Sequence, residues 1–365
     1  MPSHVHPRDP GSCYRALVQS VSEVPLVETT RGGMVESVHV GSIAVVDAAG
    51  VVSWSVGNPR LRTFPRSSLK PFQLLALVAR GGIARFGFTA AEVAVMAASH
   101  SGEPIHVATV SSVLRKVDAP PNALVCGVHA PGDVQSAERL ARDGQAPTAL
   151  HNNCSGKHAG MLALARLLGA PLDGYVEPDH PAQRAIRECL VDVLQLDPAD
   201  LPVGVDGCSA PAYAVALGKM ARGFALLGQP DQASMRWAAG LRTIADAMRA
   251  HPELVGGTRN RVDTDLMRLG RGLVAKGGAE GYFCIGHPDG RGLALKILDG
   301  DGTQRARPLA AVMAARRLGW LTEHDLGGPL CGYGPAVPVH NWAGRRTGHV
   351  RPAAALAEEA EKETT

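Results

Sequence analysis

Strand-forming runs stand near both ends of this chain, and the long stretch between them reads as helix. Val38 to Val46 and Val51 to Val56 are β-branched runs on either side of Asp47-Ala48-Ala49-Gly50, which is the composition of a hairpin. Strand texture returns at Gly281 to Ile285 and Leu293 to Leu298, followed by the turn Asp299-Gly300-Asp301-Gly302 and a helix near 308–318. Between them come periodic apolar segments. One runs from Ser67 to Arg80 and closes at Gly81-Gly82, Thr89 caps 90–98, and another ends at Lys116. Further helices are expected over 159–168, over 181–195 behind Asp179, from Gly207-Cys208-Ser209-Ala210-Pro211 to about Leu227, and over 231–250. This order predicts an α+β or α/β fold, with one central sheet built from both chain ends and covered by the helical middle.

Composition narrows the classes of function. Of 365 residues, 45% are hydrophobic and 19% charged, enough for a substantial core. A net charge of +3 with no dense basic run gives no nucleic-acid footprint. No apolar stretch approaches the ~20 residues of a membrane span, and the opening MPSHVHPRDPGS has no apolar core of a signal peptide. The expectation is a cytoplasmic protein without membrane or nucleic-acid partners. The seven cysteines, an odd number, then read as free thiols of a reducing compartment.

The sharpest motif is Arg66-Ser67-Ser68-Leu69-Lys70-Pro71. A serine three residues before a lysine at a helix start shares one face with it, and the helix dipole there favours developing negative charge. Ser67, not Ser68, has that spacing. A hydroxyl becomes a nucleophile when a base takes its proton, and a neutral lysine can do so if burial lowers its pKa from ~10.4. Chance also produces this pattern as a serine cap beside a surface lysine. Lysine is scarce here, however, occurring only at 70, 116, 157, 219, 276, 296 and 362. Two further segments, Ser99-His100-Ser101 and Lys276-Gly277-Gly278, follow in the order of the S-x-x-K, S-D-N and K-T-G set of serine acyl-transfer enzymes. Ser99 with Lys276 would make a second pair that relays a proton to the departing nitrogen. A separate cluster, Cys154, Lys157 and Cys208, offers two sulfurs and a nitrogen for an incomplete tetrahedral zinc site. Two buried thiols beside a capping histidine would look the same.

Together the segments Phe64–Pro71, Ser99–Pro104, His151–His158, Asp206–Pro211, His251–Val255 and Lys276–Gly281 resemble the L-asparaginase family of the Rhizobium etli type, over about residues 20–340. The resemblance implies a serine β-lactamase/glutaminase-like fold, usually a homodimer, in a catalytic domain spanning 14–353. Residues 1–13 would form a flexible tail and 354–365 a polar one; neither the extended N-terminus nor the polar tail is part of the family pattern. It also implies two catalytic pairs, Ser67 with Lys70 and Ser99 with Lys276, and zinc on Cys154, Lys157 and Cys208 that helps substrate binding. Asp206 would help orient the substrate. Arg66 would either hold a carboxylate or structure the loop. The expected activity is hydrolysis of L-asparagine to L-aspartate and ammonia. The alternatives are a glutaminase or β-lactam-directed hydrolase on the same fold, or a catalytically dead zinc-binding regulator.

Overall fold

The computed structural model describes residues 24–357. The tail read over 1–13, and residues 358–365 of the tail read from 354, lie outside them. Strands follow in chain order as β1 (Val24–Arg31), β2 (Met34–Asp47), β3 (Val52–Val56), β4 (Arg62–Thr63), β5 (Val203–Val205), β6 (Pro211–Tyr213), β7 (Val215–Ala216), β8 (Val274–Gly277), β9 (Tyr282–Gly286), β10 (Arg291–Ile297), β11 (Val337–His340) and β12 (Arg346–Pro352).

Eight of these form one antiparallel sheet in the order β11-β12-β1-β2-β10-β9-β8, with β3 beside β2. The two ends of the described chain therefore interleave, as the distribution of strand texture predicts. β2 is long enough to give one edge to β1 and then β3, while β10 takes the other edge along Gly41–Asp47. β9, nearly all of β10, and Gly41–Val46 of β2 are buried without alternation, so both faces of the sheet centre are covered. Two glycines explain how closely. A Cβ at Gly292 would stand 2.0 Å from Ala221 O, and one at Gly286 2.2 Å from Phe224 O. Their absence lets the helix Leu217–Gly228 lie directly on the strand backbones.

β1, β11 and β12 carry no strand signal that the sequence reading used. Their prolines, charges and glycine mask the pattern, and they form because partners are present. Two other expectations are corrected. The helix expected from Gly207 to about Leu227 starts only at Leu217. Ser209 at φ 72° and the bond from Asp206 N to Ala210 O fold the preceding loop, and β6 and β7 then pair with β5 and β4. The cap of Pro181–Val193 is His180 rather than Asp179, its Nδ1 accepting from Ala182 N at 3.1 Å. Proline at the first helical position holds the residue before it extended, as a cap requires.

In the helical layer, Lys70–Val78 packs against Ser155–Leu167, Pro181–Val193 and Met235–Ala250. Lys70 through Leu77 are all buried, so this helix is apolar on every side and belongs to the core. Lys70 is carried inside with it. Among the described residues, no helix is long and apolar enough to cross a membrane.

Candidate active site

The site begins at a proline-framed turn. Arg66 adopts φ 51°, left-handed backbone that costs a non-glycine residue about 1–3 kcal/mol. Its side chain is anchored to Asp206, Nε to Oδ2 at 2.9 Å and Nη2 to Oδ1 at 3.4 Å. The chain then makes a 3₁₀ turn over Arg66–Leu69, and the α-helix expected from Ser67 begins only at Lys70. Pro71 is the reason, because deeper in an α-helix its ring would strike the carbonyl four residues back, that of Ser67.

This turn separates the two serines. Ser68 is fully buried and donates Oγ to Lys276 O at 3.0 Å. Ser67 is half-buried and lines a cleft of about 890 Å³ that also takes in Ser99, His100, Asn153, Gly278 and Arg307. Among the described residues, neither the Ser67 nor the Ser99 hydroxyl has a hydrogen-bond partner. Both are open to whatever enters the cleft.

Two amines stand behind them. Lys70 is 1% exposed and Lys276 0%. Lys70 also lines a small cavity of about 10 Å³ with Ser67, and its Nζ donates to Asn153 O at 3.2 Å. Burial pushes its pKa below the lysine range, with Cys154 pulling it back and Lys157 opposing that pull. Lys276 donates to Gly277 O at 2.9 Å, and burial drives it well down against the pull of Asp263. The charge of Lys70 lowers Lys276 further. Both lean toward the neutral form that a base needs.

Ser99 and Lys276 are held by an ion pair with a buried carboxylate, absent from the sequence reading. Arg261 Nη1 donates to Ser99 O at 2.9 Å, to Ser101 Oγ at 3.2 Å and to Gly256 O at 2.8 Å. Its Nε and Nη2 reach Asp263 at 3.2 and 3.0 Å, and Asp263 Oδ2 accepts from Gly277 N at 3.4 Å. One pair of charges thus ties the Ser99 segment to the strand of Lys276. Burial would raise the Asp263 carboxyl, but Arg261 and Lys276 hold it far below the usual range. The signal was the charge-dense run Arg259-Asn260-Arg261-Val262-Asp263. Asn153, the acceptor for Lys70, was missed because a carbonyl has no side-chain signature.

Cys154, Lys157 and Cys208 converge, all buried. Lys157 Nζ lies 2.9 Å from Cys208 Sγ, and the two thiols share a hydrogen bond. Cys154 is held well down by its bond to Cys208, then by Lys70 and Lys157, while Cys208 is pushed up by the same shared proton. Burial would lower Lys157, yet Cys154, Cys208 and Asp206 outweigh it and leave the pKa raised. Among the described residues, no group of three or more His, Cys, Asp or Glu could hold a metal, so a site here depends on Lys157. Asp206 joins this cluster to the nucleophile turn: it accepts from Cys208 N at 3.3 Å and pairs with Arg66. Burial opposes its charge, but Arg66 and Lys157 bring its carboxyl down to about 2. His151 accepts from Thr148 N, and His158 Nδ1 meets Tyr175 OH at 2.6 Å; both brace backbone and core.

The cleft thus holds two open hydroxyls, Ser67 and Ser99, while Lys70 and Lys276 are buried outside its lining. Residues 27–352 match the L-asparaginase II family, nearly the whole chain. The chain belongs to that family and is an amidohydrolase. No curated protein matches its sequence. Solved structures similar to it include Mglu in its glutamate form, at 14% identity and TM-score 0.34, with 77% of this chain and 61% of that chain covered. The chain thus spans under two thirds of the length of that structure. Another Mglu structure shows 15% identity, 89% and 78% coverage and TM-score 0.35. A probable glutaminase, ybaS, shows 16%, 85% and 98%, and 0.35.

Proposed function

We propose that this amidohydrolase cleaves the side-chain amide of L-asparagine, through an acyl-enzyme on Ser67, to give L-aspartate and ammonia. The observation that supports it is the pair of open hydroxyls, Ser67 and Ser99, in one cleft, with two buried lysines of lowered pKa in the segments that adjoin it. Lys70 Nζ takes the Ser67 proton as Oγ bonds to the amide carbon. Backbone N–H groups at the Ser67 turn and after β8 stabilise the oxyanion. The Ser67 proton passes from Lys70 through Lys276 and Ser99 to the amide nitrogen, the C–N bond breaks, and ammonia leaves with both lysines neutral again. Water then attacks the β-aspartyl ester, Lys70 taking its proton and handing it to Ser67 Oγ as the ester C–O bond breaks. On this reading the fold is serine β-lactamase/glutaminase-like, and Arg66 with Asp206 shapes the turn.

Zinc is part of the proposal. Two sulfurs and one amine in mutual contact fit a soft, tetrahedral ion once Lys157 gives up its proton. Cys154, Lys157 and Cys208 would hold it, and it would supply an anchor for a polar group of the substrate. A cytoplasmic homodimer completes the reading, testable by light scattering of the purified chain.

Ammonia release from asparagine and glutamine, measured side by side, tests the substrate. The two differ by one methylene, worth ~1–3 kcal/mol in a fitted pocket. Faster turnover of glutamine would move the assignment to a glutaminase. Undiminished ammonia release by Ser67→Ala would remove the mechanism altogether.

A further inference from the structure

Four arginines reach the wall of the cleft: Arg259, Arg261, Arg305 and Arg307. Three are already engaged. Arg259 grips Asp133 with Nε at 3.1 Å and Nη2 at 2.7 Å. Arg261 is bound to Asp263. Arg305 turns to β2, with Nε 3.1 Å from His39 Nε2 and Nη2 3.1 Å from Ser37 Oγ. Arg307 is different. Its Nη1 donates to Gly278 O at 2.8 Å and its Nη2 makes a long 3.3 Å contact with exposed Gln304. Its Nε is buried without a partner. Among the described residues, no carboxylate stands within ion-pair distance of it.

The acids it senses, Asp263 and Asp301, are committed elsewhere. Asp263 is bound by Arg261, and Asp301 accepts from the backbone N–H groups of Arg305, Ala306 and Arg307. A guanidinium does not shed its proton in a protein. Arg305 also lacks a carboxylate, but its Nε and Nη2 are met by His39 and Ser37, whereas Arg307 joins a missing counter-charge to an unmet buried donor, and a poorly solvated unmatched charge is costly.

Its position is informative. The chain from Lys276 to Gly278 runs against the nucleophile turn: a Cβ on Gly278 would fall 2.4 Å from Pro65 O and 3.1 Å from Ser68 Oγ. The carbonyl that holds Arg307 is thus part of the peptide segment packed beside Ser67. Arg66, the other guanidinium near that turn, is taken by Asp206. We infer that Arg307 is the specificity-determining residue that binds the α-carboxylate of the substrate, with Gln304 giving way as the planar fork of Arg307 takes both oxygens. This deepens the proposed function and rests on it.

Asparagine and β-alaninamide, which is asparagine without its carboxylate, separate the possibilities when assayed on wild type, Arg307→Gln and Arg307→Lys. Wild type should favour asparagine in kcat/KM by roughly 10- to 100-fold, the worth of a charged hydrogen bond. Arg307→Gln should lose most of that preference through a raised KM for asparagine, with kcat little changed, and Arg307→Lys should recover part of it. A ratio between the two substrates that survives in Arg307→Gln overturns the inference, as does a fall in kcat that is equal for both. Calorimetry with L-aspartate reads the same contact without turnover. Binding at least tenfold weaker in Arg307→Gln supports the anchor, and equal or absent binding in wild type and variant rules it out. Wild type that binds L-aspartate through Arg307 yet releases no ammonia would sink the proposed activity alone. Should Arg307→Gln fail to fold, as circular dichroism would show, the same comparisons with Arg307→Lys decide.

Discussion

Ser67 and Lys70 share one turn of chain, whereas Ser99 and Lys276 come from a helix end and a sheet edge that meet only in the folded protein. The first pair is shaped by covalent neighbours: Pro65 and Pro71 frame the turn, and the α-helix cannot begin before Lys70. One partly exposed ion pair, Arg66 with Asp206, braces it from outside. The second pair depends on a strut, Arg261 with Asp263, whose carboxylate is 1% exposed. A locally built pair can lose its chemistry and keep its shape. A pair assembled at long range loses both together, because removing the strut unties the two segments that bring it into register.

Removing the nucleophile should separate these behaviours most widely. Ser67→Ala is expected to lose roughly four or more orders of magnitude in kcat, as nucleophile knockouts do, with a melting midpoint close to wild type. Mass spectrometry should then find no acyl-enzyme. A comparable loss of stability would mean that the first pair also holds the fold.

Asp263→Asn attacks the second pair. It weakens the hold on Arg261, which is 25% exposed, and should cost about 2–3 kcal/mol in denaturant unfolding, with activity falling as the Ser99 segment drifts from Lys276. A loss of activity at full stability would show that Asp263 acts on Lys276 electrostatically and not as a strut.

Acid exposes the brace of the first pair. Asp206 has a folded pKa lowered to about 2, so its stabilisation is complete above the ordinary carboxylate value and is lost as pH falls toward about 2. That window should contain roughly 2 kcal/mol of pH-dependent stability that Asp206→Asn abolishes. For the lysines the sign is opposite in consequence. Their lowered pKa values impose a penalty that is absent above about 10.4 and grows as pH falls. Activity should accordingly rise with pH until the amines are neutral.

The smallest effect is expected at the thiol cluster. Cys208→Ser should raise KM about tenfold with kcat nearly unchanged, alongside reduced zinc in metal analysis of the purified protein. A large fall in kcat at constant KM would place the metal in the chemistry and bind the cluster to the first pair more tightly than the structure suggests.

Much of the fold was legible because strand and helix periodicities are local. The β2–β3 hairpin, the helices at 90–96 and 104–116, and β9 and β10 all stand within a few residues of where patterning puts them. β1, β11 and β12 did not show, since strands broken by proline, charged or glycine positions acquire their conformation from their partners. The site divides along the same line. Ser67, Lys70, Cys154 and Lys157 announce themselves at helix starts by spacing. Arg261, Asp263, Asn153 and Arg307 matter through what they touch, and a backbone carbonyl or an unpaired guanidinium leaves no pattern in a string of letters.

By itself the order of residues determined that two scarce lysines and two serines would be available, that Lys70 would sit one turn from Ser67, and that a sheet would draw on both ends of the chain. These follow from steric rules and periodicities acting over a few residues. Only the tertiary structure decided that Lys276 lies beside Ser68, that Asp263 bridges the second pair, and that Arg307 is left without a counter-charge. Those are matters of burial and of which charges face each other, and both are set by contacts between segments that the chain keeps far apart.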